Sequence, residues 1–503
     1  MTYPKETPRK RAVVFQQRNF GLKLGHSIAA HLQGKGFNLV AVAIKGQTTK
    51  FTREQTEVNY EQTIDFDRVI DDPYSVPGVG DISLAEVCEQ LRIDSIWPIA
   101  QERMYARNYN DRFYYSFKQN RSDEDIATYV KAAYLTYKRL FEEFKPDVIV
   151  GVNFVATFQI VALLLARRMG IPMIGIEPSK VRGLHIFSHD HLTESGPFVD
   201  RIRELQSGNG DSVNIDQARK YIRDFRKEFA APLVFDRAFK PESRIRKIKN
   251  ELRPYREIWN FIRDRPKNDH PNVGATIDYR TPRIILRDHY RFRRQRRDVL
   301  TYAYSAVPED RPFAYMPLQV QPEHAIDVLS PYFSNQIEVA RLVAQSLPGD
   351  LPLVVKDHPG MVGRRPVSYY EKLDRTVNIK LVDPMIRSDR MLKSAAIMIA
   401  SGGTTVVEAA MLKLATIQLG QMGVTKLLPN VISHTDMTTL TPVIVEHLNL
   451  NCDDQTYETA LEQWIAAAYD TGFEIDYEEA IWGENVQRVC EAYFEEVQRV
   501  INA

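Results

Sequence analysis

Residues 353–360, LVVKDHPG, and residues 395–420, AAIMIASGGTTVVEAAMLKLATIQLG, decide the fold of this chain. In each stretch an apolar run ends in polar residues, and in the second stretch a helical pattern and another apolar run follow. Short apolar runs that alternate with helical segments indicate a parallel sheet covered by helices. We therefore expect both polar strand ends to lie at one edge of the sheet, where open α/β sheets bind ligands.

The polar groups at this edge are those that an anion site needs. Two adjacent glycines let the backbone approach a ligand closely, and the start of the following helix presents free N–H groups to an anion. The predicted ligand carries phosphate, most simply an activated sugar. The same turn is also typical of an ordinary helix N-cap, and a His-Pro pair is typical of a strand end. The candidate groups are Lys356, His358, Ser401, Gly402, Gly403, Thr404 and Thr405.

The two motifs together resemble the C-terminal half of GT-B glycosyltransferases. The pattern K-x-H-P-G followed by S-G-G-T-T-x-x-E-A is most similar to bacterial capsular polysaccharide synthesis proteins, which include Kdo transferases that use a CMP-activated sugar. Residues 313–323, FAYMPLQVQPE, and the segment Ser334–Ile337 fit the opening of the nucleotide-binding domain in those proteins. Capsule-type Kdo transferases tend to carry paired serines where this chain has Ser-Gly-Gly-Thr-Thr, so both CMP- and UDP-linked donors stay open.

The resemblance also implies roles for individual residues. In such proteins the His-Pro motif and the Ser/Thr-rich turn hold the nucleotide and its phosphate, which implies that role for the candidate groups above. The similar stretch at 313–323 implies the same role for Gln319 and Gln321. Glu408 lies one turn into the helix, where related folds place a carboxylate on the ribose; a solvated helix residue is the alternative. A nucleotide sugar is thus the expected substrate, with no resident cofactor.

Length and composition agree with a two-domain enzyme. A chain of 503 residues is too long for one core. We predict a first Rossmann-like domain at 1–285 with a charged helical insertion at about 200–283, a second at 286–475, and a helix at 476–503 that crosses back. The predicted fold class is α/β and GT-B-like, with two doubly wound domains facing across a cleft.

Charge, cysteine content and hydropathy limit the partners and the location. A net charge of +1 argues against a nucleic-acid-binding protein. The three scattered cysteines are typical of a reduced, cytoplasmic protein, and no apolar run is long enough to span a bilayer. Residues 284–305 are predicted to form a basic helix with interleaved aromatics. That helix is either solvated or a peripheral contact with the inner face of the cell membrane or an acidic acceptor.

Sugar transfer also needs a general base, because the acceptor hydroxyl loses its proton as the new bond forms. Glu177 is the first choice, since a carboxylate directly after the apolar strand at 173–176 has a fixed position. Asn153 is a second acceptor-side candidate that follows an apolar strand. The other candidates for the base are His26, His185 and Asp190.

No Cys/His cluster is present in the sequence, so we expect a metal-independent reaction. The function predicted from these features is transfer of a nucleotide-activated sugar to a growing surface glycan or lipid-linked acceptor. Three alternatives stay open: a glycerol-phosphate polymer transferase, a UDP-sugar 2-epimerase, and a non-catalytic nucleotide-sugar-binding protein.

Overall fold

The computed structural model describes residues 9–17, 21–100, 121–229, 244–264, 282–475 and 485–503. These residues form two open sheets, one of seven strands and one of six, each covered by helices. The predicted fold class, two Rossmann-like doubly wound units, is confirmed by the strand orders described next.

The first sheet has the order β13-β6-β5-β4-β1-β2-β3. The five strands from β5 to β3 are parallel to their neighbours, which is a doubly wound order with β1 in the middle. Strands β6 and β13 extend the sheet with antiparallel pairing. The bounds are β1 Arg11–Gln17, β2 Asn38–Ile44, β3 Tyr60–Asp65, β4 Val148–Val150, β5 Met173–Pro178, β6 Leu184–Ser188 and, from the far end of the chain, β13 Phe473–Glu474.

The second sheet has the order β12-β11-β10-β7-β8-β9, and all its neighbouring strands are parallel. Counted from its own first strand, this is the order 3-2-1-4-5-6 of dinucleotide-binding folds. Ligands of such sheets bind at the carboxyl ends of the strands, beside the point where the order reverses between β7 and β10. The bounds are β7 Ala314–Pro317, β8 Leu353–Lys356, β9 Ile379–Val382, β10 Ile397–Ala400, β11 Thr416–Gln418 and β12 Val431–Ser433.

Helices cover both faces of the two sheets. Those up to β6 are α1 His26–Gly34, α2 Gly46–Glu54, α3 Phe66–Asp71, α4 Leu84–Leu91, α5 Trp97–Ala100, α6 Asp123–Phe144 and α7 Thr157–Arg168. Along the chain, the helices between β6 and β7 are α8 Pro197–Gln206, α9 Ile215–Lys227, α10 Arg244–Asp264 and α11 Pro282–Leu300. The remaining helices are α12 His324–Asp327, α13 Gln336–Ser346, α14 Val367–Asp374, α15 Ser388–Ser394, α16 Thr404–Met411, α17 Gly423–Lys426, α18 Leu440–His447, α19 Gln455–Thr471 and α20 Asn485–Asn502.

Helix α6 illustrates why these residues form these elements. Ser122 and Asp125 form a reciprocal capping box at its start, so two N–H groups without helical partners are satisfied. Its apolar residues recur at helical spacing and pack against α7. The helix ends where Lys145 takes a left-handed conformation with φ 49°.

Helices that are distant in sequence pack together and connect the two halves of the molecule. Helices α8 and α9 precede the second sheet in sequence but pack on α19, which follows it. Helix α20 then packs on α1, and its Tyr493 hydroxyl donates to the carbonyl of Gly151, just after β4. The chain therefore crosses between the two sheets more than once, and the predicted bounds at residues 285 and 475 stay predictions.

Several predicted positions differ from the structure. The basic helix predicted at 284–305 ends at Leu300, where the chain turns. Glu177 lies inside β5 instead of after it, because antiparallel pairing with β6 extends that strand to Pro178. His185, expected in a loop, lies in β6. The first part of the predicted C-terminal helix, 477–484, lies outside the described residues.

Candidate active site

The turn after β10 has a backbone that requires its two glycines. Gly402 and Gly403 have φ values of 147° and 100°, in the region that side chains disfavour. The first N–H groups of helix α16 have no helical partner, as at the start of every helix. Gly403 at the N-cap position offers no side-chain cap for them either. Ser401 is buried, Thr405 is half-buried, and Thr404 is exposed at the first position of the helix. The turn therefore presents backbone donors and a hydroxyl outward, which is the arrangement an anion requires.

Lys356 lies buried at the end of β8, with 3% of its surface exposed. Its ammonium group makes one long hydrogen bond, 3.4 Å, to the carbonyl oxygen of Asp357. Burial lowers the pKa of Lys356 to about 8, and neighbouring carboxylates partly offset that effect. An ammonium group has three donors, so this one retains the capacity to bind an anionic ligand.

Glu408 is buried, with 5% of its surface exposed, so the solvated alternative for this residue is wrong. Glu408 therefore lies on the buried face of α16. Burial raises the pKa of Glu408 to about 7, while the charge of Lys356 lowers it. The two side chains thus influence each other's charge beneath the turn.

His358 is positioned as a neutral hydrogen-bond donor. Its Nδ1 accepts a hydrogen bond from the N–H of Gly360 at 3.0 Å. Burial and the neighbouring cations Lys356 and Arg365 lower the pKa of His358 to about 4. A neutral imidazole whose Nδ1 accepts must carry its proton on Nε2. Nε2–H is therefore the group that this ring can offer as a donor at neutral pH.

A buried ion pair holds the backbone of His358 in place. No sequence pattern indicated this pair. The guanidinium of Arg365 contacts the carboxylate of Asp357, with 1% and 0% of the two side chains exposed. Asp357 also accepts from the N–H of His358 at 2.7 Å and from the hydroxyl of Tyr370 at 2.6 Å. Arg365 donates in addition to the carbonyl of Gln319 at 2.9 Å. This pair therefore connects the loop after β7 to the loop after β8.

The two predicted glutamines have different surroundings. The Gln319 amide donates to the carbonyl of Gly402 at 3.2 Å, so it links the loop after β7 to the glycine turn. Gln321 is buried, and its amide donates to Asp327 and to the carbonyl of Ser334. Those bonds hold the loop 321–334 in shape, so the structure gives Gln321 a local role instead of an outward-facing one.

Glu177 is the most unusual group of the first sheet. Its carboxylate is buried, with 7% of the residue exposed, and Oε1 has no hydrogen-bond partner among the described residues. Burial raises the pKa of Glu177 to about 7, while the charge of Lys180 and a hydrogen bond from the N–H of Phe154 lower it. The adjacent Asn153 also has a buried side-chain oxygen with no partner among the described residues. The structure therefore brings these two predicted acceptor-side residues together.

Two of the other candidates for the base, His26 and Asp190, have local hydrogen-bond partners. His26 lies 3.0 Å from the carboxylate of Glu57. Asp190 accepts from the backbone N–H groups of Leu192 and Glu194 and from the hydroxyl of Ser195, so it shapes its own loop. Burial lowers the pKa of His185 to about 4.

Two histidines at the junction between the sheets were not predicted. His191 belongs to the loop after β6, and His324 begins α12 after β7. His324 Nε2 and His191 Nδ1 are buried and have no partner among the described residues. Burial lowers the pKa of His324 to about 3, and the charges of Lys180 and His191 lower it as well. The loop after β6 therefore approaches the loop after β7 closely here.

Backbone contacts fix this junction. The N–H of Gly423 donates to the carbonyl of Leu192 at 2.7 Å. A side chain at Gly423 would come within 2.4 Å of the carbonyl of Thr193, so this position excludes side chains. Lys426 and Glu194 form an ion pair of 2.7 Å across the same contact. The loop after β6 is thus held against the segment that follows β11 in the second sheet.

Comparisons with known proteins give matches among solved structures only. No protein-family model and no curated protein matches the chain. Among solved structures, the β-Kdo 2,7-transferase KpsC of Thermosulfurimonas dismutans is 11% identical over 75% of this chain and 90% of its own, with a TM-score of 0.35. UDP-GlcNAc 2-epimerase from Neisseria meningitidis bound to UDP-GlcNAc is 12% identical over 97% and 100%, with a TM-score of 0.25. The calicheamicin glycosyltransferase CalG4 is 12% identical over 98% and 100%, with a TM-score of 0.26.

These TM-scores are all below 0.5. The fold assignment therefore depends on the order of the strands in the two sheets. On that basis the chain has a GT-B-like fold with two Rossmann-like halves.

Proposed function

We propose that this protein is a glycosyltransferase that moves a sugar from a nucleotide-activated donor, CMP- or UDP-linked, to a growing surface glycan. The acceptor is a capsular or lipopolysaccharide-type chain or its lipid-linked precursor. One observation carries the proposal: a buried carboxylate with a pKa near 7, Glu177, lies in the first sheet of a molecule whose second sheet ends in an anion-binding arrangement.

In the proposed reaction the second sheet binds the donor. The free N–H groups of α16, the ammonium of Lys356 and the Nε2–H of His358 take the phosphate charges. When the bond between the sugar carbon and the phosphate oxygen breaks, negative charge grows on the leaving phosphate. Donors already aimed at that charge stabilise the transition state. This proposal needs no metal ion for the leaving group.

The first sheet supplies the base. Glu177 takes the proton from the acceptor hydroxyl as the hydroxyl oxygen forms its bond to the sugar carbon. A base works best when its pKa is close to the working pH, and burial moves Glu177 to that range. Asn153, with its free amide oxygen, would orient the acceptor.

A ligand panel followed by a transfer assay tests this function. Thermal shifts are measured with CMP, CDP, UDP, GDP and the corresponding sugars, because a ligand that binds only the folded state raises its stability. The matching nucleotide sugar is then offered with and without glycan acceptors. His358→Ala should weaken nucleotide binding or abolish transfer, and His434→Ala, in the same half but outside the site, serves as the control.

The outcomes separate the alternatives. Interconversion of UDP-sugars without any acceptor would replace the proposal with an epimerase, and transfer of glycerol phosphate would replace it with a polymer transferase. Nucleotide binding without turnover, unchanged by Glu177→Gln, would indicate a binding protein. Absence of any nucleotide-dependent thermal shift would contradict all of these functions.

We also propose that the protein works at the cytoplasmic face of the cell membrane, because a surface glycan is assembled there on a lipid-linked acceptor. No described helix is long and apolar enough to cross a bilayer. Contact with the membrane would therefore be peripheral, through surface residues.

A further inference from the structure

Helix α10 has two apolar faces, and only one of them is covered. Pro254 is buried, and Ile258 and Phe261 are half-buried. Their spacing of four and three residues places them on one side of the helix, where α10 packs against α11. The packing of α10 on the rest of the molecule is therefore accounted for by this inner face.

The second apolar face of α10 points into solvent. Six large apolar residues recur at intervals of three and four, so they form one stripe along the helix. Each of them has between 54% and 67% of its surface exposed. Isolated apolar residues on a surface are ordinary, but a continuous stripe of this kind marks an interaction site. The stripe consists of Ile245, Ile248, Leu252, Tyr255, Trp259 and Ile262.

Positive charge surrounds this stripe. Lys249, Arg256 and Arg263 are exposed and follow each other at intervals of seven residues, so they line one flank of it. By sequence, α10 carries seven basic and three acidic residues, and α11 carries seven arginines and two aspartates. The two helices together have a formal charge of +9 in a chain whose net charge is +1. The two helices thus place strong positive charge beside an exposed apolar stripe.

Helix α11 buries part of its apolar surface in the molecule, while Tyr290 and Leu300 stay exposed. Ile285 and Val299 are buried. The ring of Phe292 lies directly over Gly363, where an added side-chain carbon would be 2.9 Å from it. The basic helix singled out in the sequence therefore contributes chiefly charge, while its neighbour α10 contributes most of the exposed apolar surface.

We propose that the exposed stripe of α10 is a membrane-docking surface that lies in the headgroup region of an anionic bilayer, with α11 adding electrostatic attraction. An amphipathic helix with Trp, Leu and Ile on one face and Lys and Arg beside it binds an interface in this way. A second copy of the chain is the competing occupant, because the stripe also has the spacing of a coiled-coil seam. Self-association would bring together two helix pairs that each have a formal charge of +9, whereas anionic lipid offers the complementary charge.

Vesicle binding by the full chain tests this inference, and its result does not depend on which reaction the protein catalyses. Co-sedimentation is measured with neutral phosphatidylcholine vesicles and with vesicles that contain phosphatidylglycerol. The stripe variant Leu252→Gln/Trp259→Gln is compared with Val213→Gln/Val377→Gln, which changes two exposed apolar residues elsewhere. A charge variant, Lys249→Glu/Arg256→Glu, tests the flank.

The wild-type chain and the Val213→Gln/Val377→Gln control should bind anionic vesicles and bind neutral ones at least tenfold more weakly. The stripe variant and the charge variant should each lose at least tenfold in binding to anionic vesicles, and added salt should weaken the wild type. Trp259 fluorescence should shift to the blue on binding, and Trp259→Phe should remove that shift.

Two results would overturn the proposal. One is binding to anionic vesicles that the stripe variant leaves unchanged, or no vesicle binding by the wild type at all. The other is a lipid-free dimer that the stripe variant converts to a monomer, which would assign the stripe to a second copy of the chain.

Discussion

The buried pair between Arg365 and Asp357 offers a sharp quantitative prediction. Arg365→Met removes the guanidinium and leaves the carboxylate of Asp357 buried with two remaining donors, the Tyr370 hydroxyl and the His358 N–H. Breaking a fully buried pair by removing one partner costs about 3–5 kcal/mol, because the other charge stays unpaired. The carbonyl of Gln319 loses a donor as well. We expect the free energy of unfolding to fall by about that amount.

The double variant Asp357→Asn/Arg365→Met separates the pair's interaction from simple loss of side chains. Asparagine can still accept from Tyr370 and carries no charge, so the double variant should recover about 2 kcal/mol relative to Arg365→Met. Arg364→Met, an exposed neighbour, should change stability by less than about 0.5 kcal/mol.

Urea unfolding followed by tryptophan fluorescence measures these differences. Trp464 is a suitable reporter, since it is buried and its indole N–H donates to the carbonyl of Val424 in the same half of the molecule. The reasoning would be refuted by a loss below about 1 kcal/mol in Arg365→Met, or by a double variant no more stable than the single one. Because the pair also positions His358, nucleotide affinity should fall in Arg365→Met even at temperatures where the variant is fully folded.

Three further predictions concern titratable groups. Glu177→Gln should lower turnover by about 10²-fold, and the wild-type rate should rise as pH increases through about 7, where Glu177 becomes the free base; near-normal turnover in the variant would move the base elsewhere. Nucleotide affinity should fall as pH rises through about 8, because Lys356 loses its proton there, and isothermal titration of Lys356→Met should show weaker binding without that pH dependence. Burial raises the pKa of Glu408 from its ordinary value near 4.5 to about 7, so its contribution to stability is present below pH 4.5 and is lost as pH rises through 7. Glu408→Gln should lack this decline, which is on the order of 3 kcal/mol, and a parallel pH dependence in both proteins would contradict the assignment.

The sequence alone was sufficient to predict the second parallel sheet and the glycine turn after β10. Each strand there is a short apolar run that ends in Gly, Pro or polar residues, and such boundaries depend on neighbours a few positions away. The positive φ values of Gly402 and Gly403 agree with the reason for expecting glycine at that turn. The same local logic accounts for helix α6, whose start is a capping box.

The sequence did not reveal which charged residues are buried. Glu408 and Arg365 look like surface residues in a linear reading, yet both are enclosed by side chains from distant parts of the chain. Gln321 and Asp190 have residue types typical of ligand binding, but their hydrogen bonds are taken by nearby loops.

Only the tertiary structure decided three further features: the extension of β5 that contains Glu177, the meeting of His191 with His324, and the bare apolar face of α10. Each of them depends on which surfaces pack together. Helical spacing shows that α10 has two apolar faces, but only the position of α11 determines which face is covered. Burial and pKa depend on that three-dimensional packing, because the free energy of a charge or an apolar surface depends on whether water still reaches it.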